Sequence, residues 1–225
     1  MRSDFWSAHS QTVRQGYSAE LESYLAELSQ ASHATAQASG KRADYLLAAE
    51  FYEQTIETFP LDESLGDTLF LLGEVYTEAQ QPESALAAYR RVTDDFPDHP
   101  NANEASYSSI LALEQLGDAT ADAEQRAQWQ TQQLDAQIAF ANDFADDPRA
   151  AAVQAAAADR LFNQGDYFEA VDLATALVAS NTRLPFEIDR TTLLIIGHGN
   201  MELEEFAAAE QAYSCLLYTS DAADE

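Results

Sequence analysis

Residues 66–97 read GDTLFLLGEVYTEAQQPESALAAYRRVTDDFP, and large and small apolar side chains recur in them at helical spacing on either side of a break at Gln80-Gln81-Pro82. Before the break, Leu69, Leu72, Gly73 and Tyr76 share one face of a helix; after it, Ala85, Tyr89 and Val92 do the same. Small residues stand at Gly73 and Ala85, where two helices would approach closely, and larger ones fill the space between. Proline is accepted only in the first turn of a helix, where its missing N–H would have no partner, so Pro82 marks a helix start. Glu83 near that positive end and Arg90-Arg91 toward the negative end suit the macrodipole. The pattern predicts a helix–turn–helix hairpin.

Similar patterns recur along the chain. Leu21, Tyr24, Leu25 and Leu28 predict a helix over residues 20–28, after a mixed polar stretch at 1–15 with Phe5, Trp6 and Val13 that reads as a partial helix. Residues 29–40 (SQASHATAQASG) lack large apolar side chains and predict a fraying end and a loop. A helix over 43–59 follows, with Leu47, Phe51, Tyr52 and Ile56 inward. Tyr107, Ile110, Leu111 and Leu113 mark another helix at 103–116. Trp129, Leu134, Ile138 and Phe140 mark a long one at 122–144, with a bend expected near Thr131. An Ala-rich helix at 150–163 leads through Gln164-Gly165-Asp166-Tyr167 into a helix carrying Ala170, Leu173, Ala174, Leu177 and Val178. A last pair begins at Arg190. Helix terminators repeat as well: Phe59-Pro60, Phe96-Pro97-Asp98-His99-Pro100-Asn101-Ala102 and Phe144-Ala145-Asp146-Asp147-Pro148-Arg149-Ala150 stand 37 and 48 residues apart. The longer interval implies an insertion in the third unit.

In order and spacing, Leu69, Leu72-Gly73, Tyr76, Ala85, Tyr89, Val92 and Pro97 resemble the tetratricopeptide repeat, a two-helix unit of about 34 residues. The departures are Leu69, where an aromatic is common, and Val92, where alanine is frequent. Leu193, Ile196-Gly197, Phe206, Ala209 and Tyr213 return to the signature, with Asn200 in place of the usual tyrosine. The resemblance implies an all-α solenoid of stacked antiparallel helix hairpins wound as a right-handed superhelix. Its array would occupy residues 43–214, after partial helices and a loop at 1–42. It also implies a protein-binding scaffold, although such arrays serve many unrelated partners. The Phe-Pro-x-x-Pro-x-Ala spacing at 96–102 looks like the interhelix turns of bacterial cell-envelope proteins of this kind, the outer-membrane assembly lipoproteins and periplasmic division coordinators. A periplasmic or outer-membrane-associated role in envelope assembly is what that likeness implies, with the cytoplasm as the alternative.

Residues 215–225, CLLYTSDAADE, resemble a translated sequencing adapter, and the helical pattern is expected to stop at Tyr213-Ser214. On that reading the array is truncated, the natural frame continues beyond Ser214, and Cys215, the single cysteine, lies outside it. No disulfide, thiolate metal site or cysteine nucleophile would then remain.

Charge narrows the classes of partner. With 39 acidic against 11 basic residues the net charge is −28, which opposes nucleic acid and anionic membrane surfaces, since both need clustered Lys and Arg. A solvated acidic surface and an acidic groove for a basic partner both fit. No apolar run approaches the roughly 20 residues of a membrane span; Leu193 to Ile196, for example, is only four long. His9, His33, His99 and His198 lack the paired spacing of a zinc site, and Gly197-His198-Gly199 lacks the Lys-Ser or Lys-Thr of a phosphate loop. No nucleophile elbow occurs, and carboxylate pairs such as Glu204-Glu205 are expected by chance at this acid content. No cofactor, metal or catalytic residue is assigned.

In a stack of such hairpins the first helix of each unit lines a concave groove. Its non-core face would present Phe70, Glu74, Thr77 and Glu78 in one unit, Asp159, Phe162 and Asn163 in another, and His198, Met201 and Glu202 in the last. An apolar residue beside acids suits an extended peptide with Lys or Arg side chains. The same residues also suit packing of Phe70, Phe162 and Met201 against neighbouring hairpins, with the acids solvated. Two rival functions stay open: a recruitment arm of a larger enzyme whose catalytic domain lies elsewhere in the gene, and a self-associating structural solenoid.

Overall fold

The computed structural model describes residues 11–180 and 184–223, side chains being described for 20–180 and 184–217. These residues form ten helices and no strand: α1 (Gln11–Ser39), α2 (Arg42–Thr58), α3 (Leu65–Glu78), α4 (Pro82–Asp95), α5 (Ala102–Ala119), α6 (Ala123–Asp143), α7 (Ala150–Gln164), α8 (Tyr167–Ser180), α9 (Phe186–Glu202) and α10 (Phe206–Ala223). The chain divides at Arg126/Ala127 into two compact units.

In the first unit α1 packs on α2, α2 on α3, α3 on α4 and α4 on α5. The three-residue link from α3 to α4 allows only an antiparallel hairpin. Pro82 is the first residue of α4, as expected, and Glu83 lies in its first turn. Arg90 and Arg91 stop short of the last turn, which holds Asp94 and Asp95 instead; Arg91 pairs with Asp95 at 3.7 Å on the surface. The macrodipole is therefore matched at the start of α4 and not at its end.

Among the described residues, two clusters lie in the core of this unit. One joins Tyr45, Ala48, Ala49 and Tyr52 of α2 to Leu72, Val75 and Ala79 around the end of α3. The other joins Leu65, Leu69 and Phe70 of α3 to Ala85, Tyr89 and Val92 of α4 and Ala105 of α5. Gly73 and Tyr89 meet face to face, for a Cβ on Gly73 would lie 2.5 Å from the Tyr89 ring. Arg42 of α2 donates through Nε to the carbonyl of Ala79 at 2.9 Å, closing the C-terminal end of α3 from the preceding hairpin.

The second unit repeats the scheme: α7 packs on α8, α8 on α9, α9 on α10, and α7 also on α9. Ala158 and Leu161, Ala170 and Ala174, and Ile195 form its cluster, with Leu134 of α6 packed against them. Gly165 ends α7 in the left-handed conformation at φ 89°, and its N–H and that of Asp166 bond back to Phe162 and Leu161 at 3.1 and 3.0 Å. A Cβ on Gly197 would lie 2.5 Å from Tyr213, the same relation as Gly73 to Tyr89 at the same 16-residue separation.

The three terminators share one turn. At each, the aromatic N–H closes the preceding helix: Phe59 to Thr55, Phe96 to Val92, Phe144 to Phe140. Three residues on, a side-chain acceptor takes the backbone N–H two residues later. Asp62 takes that of Ser64 at 2.6 Å, His99 Nδ1 that of Asn101 at 3.1 Å, and Asp147 that of Arg149 at 2.9 Å. The next residue, Leu65, Ala102 or Ala150, then opens a helix by donating to the carbonyl of the acceptor residue. The expected insertion between the second and third turns adds nothing to the links. It is carried by the helices, α5 and α6 having 18 and 21 residues where α3 and α4 have 14 each.

Three expectations are corrected. Residues 29–39 are helix, not loop: Ser29, His33 and Ala36 are buried at i, i+4 and i+7, and the bulk that this face lacks comes from Tyr45 and Tyr52 of α2. Residues 11–28 belong to the same unbroken helix, and the reading of residues 1–10 lies outside the described residues. The helix expected to stop at Ser214 continues to Ala223, since no proline or glycine interrupts CLLYTSDAA.

Candidate functional site

In the first unit the informative surface follows one face of α3. Asp67, Leu71, Glu74 and Glu78 stand at i, i+4, i+7 and i+11, with Phe70 and Thr77 beside them. Its N-terminal part borders a cavity of about 640 Å³ walled by α1, α2, the link to α3, and α3 itself. Ile56, Phe59, Leu65, Phe70 and Leu71 give it an apolar floor, and Glu22, Asp62 and Asp67 place carboxyl groups along its wall. Among the described residues no Lys or Arg lines it. Glu22 and Asp62 are hydrogen-bonded to one another, which raises the Glu22 carboxyl pKa and lowers that of Asp62, whose charged form Ser64 also supports. Asp67 is oriented by His99. Because His99 Nδ1 accepts the Asn101 N–H, Nε2 carries the proton and donates to Asp67 at 3.1 Å.

One turn further, Glu74 is half-buried. Burial first, then the charges of Glu104 on α5 and Glu78, push its carboxyl pKa up. Beside it the Thr77 hydroxyl donates to the Gly73 carbonyl at 2.9 Å, so the Tyr89 hydroxyl is the donor across their 3.3 Å contact. Burial raises the phenol pKa of Tyr89, and that of Tyr52 to about 12, the charge on Glu74 adding to both. At the C-terminal end, Thr77 and Glu78 border a cleft of about 500 Å³ with Gln80, Pro82, Gln115 and Ala119.

His33 of α1 stands behind this face. The Gln37 amide nitrogen, a donor only, lies 3.3 Å from its Nε2, so Nδ1 carries the proton toward the Tyr52 hydroxyl at 3.1 Å. Burial lowers its pKa, and Glu78 opposes that shift.

Of the four residues expected here, Glu74, Thr77 and Glu78 lie on this surface, Thr77 and Glu78 being exposed. Phe70 is not displayed as expected. It is 9% exposed, lies with its ring tilted against that of Tyr89 at 6.0 Å and packs in the core with Ala105, leaving one edge to the cavity. Glu22, Asp62, Tyr52, His33 and Glu104 were missed, since they come from other helices or from the link before α3, and no helical spacing connects them to the α3 face.

In the second unit, α7 and α9 bring Phe162 and His198 together at 6.4 Å, within a row running from Tyr167 (5.3 Å from Phe162) to Tyr213 (5.6 Å from His198). His198 Nδ1 and the Tyr213 hydroxyl lie 2.7 Å apart. Met201 and Glu202, one turn on from His198, are exposed. Asp159 is engaged locally, Asn163 donating to its carbonyl at 2.8 Å and its carboxylate at 3.1 Å. Phe162 is half-buried by these rings, so Met201 is the one expected apolar side chain that is openly presented.

Among the described residues no three His, Cys, Asp or Glu side chains gather as metal ligands, and no helix is long and apolar enough to cross a membrane. A family model decides the nature of the surface around α3. Residues 67–99 match the tetratricopeptide repeat. That repeat takes in α3 from Asp67, all of α4 and the turn to His99, so the Gly73–Tyr89 contact and the Glu74–Glu78 face both belong to it. No curated protein matches the chain in sequence. Among solved structures it is similar to the MamA RS-1 ArsTM double mutant, at 13% identity, covering 88% of this chain and 97% of that one, with a TM-score of 0.48. It is also similar to TTC0263, a thermophilic TPR protein of Thermus thermophilus (15% identity, 89% and 92% covered, TM-score 0.41), and to BtubC (BKLC) from P. vanneervenii (13%, 96% and 93%, 0.43). Helical repeats of this kind stack into extended concave surfaces that serve binding.

Proposed function

We propose that this chain is a non-catalytic scaffold that holds an extended, basic segment of another protein against the α3 face of its tetratricopeptide repeat. The observation that carries this reading is the half-buried Glu74, whose carboxylate is disfavoured by burial and by the like charges of Glu104 and Glu78. A Lys or Arg side chain laid there would relieve that repulsion. Fluorescence anisotropy with labelled extended peptides tests it. Lys-containing peptides are expected to bind more tightly than their Glu counterparts, to weaken as salt rises, and to weaken further with Glu74→Gln together with Glu78→Gln. Equal binding of acidic and basic peptides would refute it.

The finer placement is in the bacterial cell envelope, supported by the turn Phe96-Pro97-Asp98-His99-Pro100-Asn101-Ala102. A fusion of the complete gene to a reporter active only outside the cytoplasm checks it, and an inactive reporter rejects it. Residues 215–225 are assigned in the same reading to a sequencing adapter. Long-read sequencing across the frame checks this, and a genomic sequence encoding CLLYTSDAADE would overturn it.

A further inference from the structure

The α3 face presents three features in a row, and their spacing points to the sequence of the segment it takes. The cavity is bordered on α3 by Asp67, Thr68, Phe70 and Leu71. Glu74 follows about one turn later, and Thr77 and Glu78 at the cleft follow after about another. The three follow one another along a single helix, with Phe70 and Leu71 at the cavity, Glu74 next, and Thr77 and Glu78 at the cleft. Four residues of helix rise about 6 Å. Two residues of extended chain advance about 6.6 Å, and residues two apart point the same way. An extended peptide lying along α3 thus keeps step with the face, offering every second side chain to successive features.

Resting on the function proposed above, we infer that the bound segment carries a large apolar residue for the cavity, a Lys or Arg two residues away for Glu74, and a second two residues beyond for Glu78. The apolar residue seats on Ile56, Phe59, Leu65 and Phe70, and the volume of about 640 Å³ admits a leucine or an aromatic. The carboxyl groups of Glu22, Asp62 and Asp67 along the wall exclude an acidic side chain there and favour a neutral or basic neighbour. Charge alone would accept any cluster of lysines; the cavity fixes the register.

Competition anisotropy with the full chain reads this out, using capped peptides Gly-Leu-Gly-Lys-Gly-Lys-Gly, the same peptide with Ala for Leu, and a third with an extra Gly between Leu and the first Lys. The first is expected to bind best, with roughly tenfold loss on removing the anchor and a smaller loss on shifting the register by one. Ala26→Phe, which fills the cavity from α1, is expected to lower affinity for the leucine peptide and leave the alanine peptide unchanged. If all three peptides bind alike, the anchor and the register are wrong while the basic-partner reading stands. If none binds in any salt, both fail.

Discussion

Gly73→Ala isolates the contact on which the repeat closes. The added methyl would sit 2.5, 2.6 and 2.8 Å from three ring carbons of Tyr89, nearer than real Cβ contacts come. The ring has little freedom to yield, because Tyr89 is 3% exposed, meets Thr77 through its hydroxyl and packs at a tilt against Phe70. Overpacking of this kind costs about 1–3 kcal/mol, while Ala in place of Gly inside a helix returns about 1 kcal/mol. Net destabilisation of up to about 2 kcal/mol is expected. Tyr89→Ala removes all three of those ring carbons, so in that background the methyl has room and the helix-forming gain of about 1 kcal/mol is expected to emerge. The reversal of sign is the signature, a coupling of about 1–3 kcal/mol in a double-mutant cycle. Urea denaturation followed by far-UV circular dichroism measures all four proteins. Stabilisation by Gly73→Ala in the wild-type background, or a coupling below about 0.5 kcal/mol, would refute the argument. Gly197→Ala meets Tyr213 at 2.5 Å too, but that ring is only half-buried and can swing outward, so a smaller loss is expected.

Other predictions concern single polar groups. Asp147 is almost wholly buried and holds both the Arg149 N–H and its guanidinium, at 2.9 Å each. Asp147→Ala should cost about 2–3 kcal/mol by urea denaturation, with Asp147→Asn recovering part of it, because the amide oxygen still accepts the N–H. His33 has a lowered pKa, so the unfolded chain takes the proton more readily. Its contribution to stability is intact above the ordinary value of 6.5 and is lost as pH falls from there through the lowered folded value. His33→Gln should remove that slope from the pH dependence of Tm relative to wild type. Glu74 has the opposite sign, its raised folded pKa making the charged form a burden at neutral pH. Glu74→Gln should raise Tm at pH 7, with the gain fading as acid protonates the wild-type carboxyl.

The chemistry of the α3 surface was legible only where it followed one helix. Glu74, Thr77 and Glu78 were found because α3 aligns them at i, i+3 and i+4. The cavity beside them was not, since its walls come from α1, α2 and a turn far along the chain from Glu22. Phe70 shows the same limit from the other side. It lies off the narrow stripe of Leu69, Leu72 and Gly73, and reads as outward until α2, α4 and α5 close around it.

The sequence by itself determined the helices and their partners in the repeat. Pro82 sets a helix start, Phe-Pro and Gly165 set ends, and Gly73 with Tyr89, like Gly197 with Tyr213, marks a place where one backbone must admit the ring of the next helix. These are local constraints of sterics and hydrogen bonding, so they are written in neighbouring residues. Only the tertiary structure decided that residues 29–39 are helical. There Ser29, His33 and Ala36 are too small or polar to announce a buried face, and Tyr45 and Tyr52 of the facing helix fill the space. It likewise decided which acids repel one another. Coulomb interaction depends on distance through space, and Glu74 meets Glu104 across 30 residues of chain only once α3 and α5 are side by side.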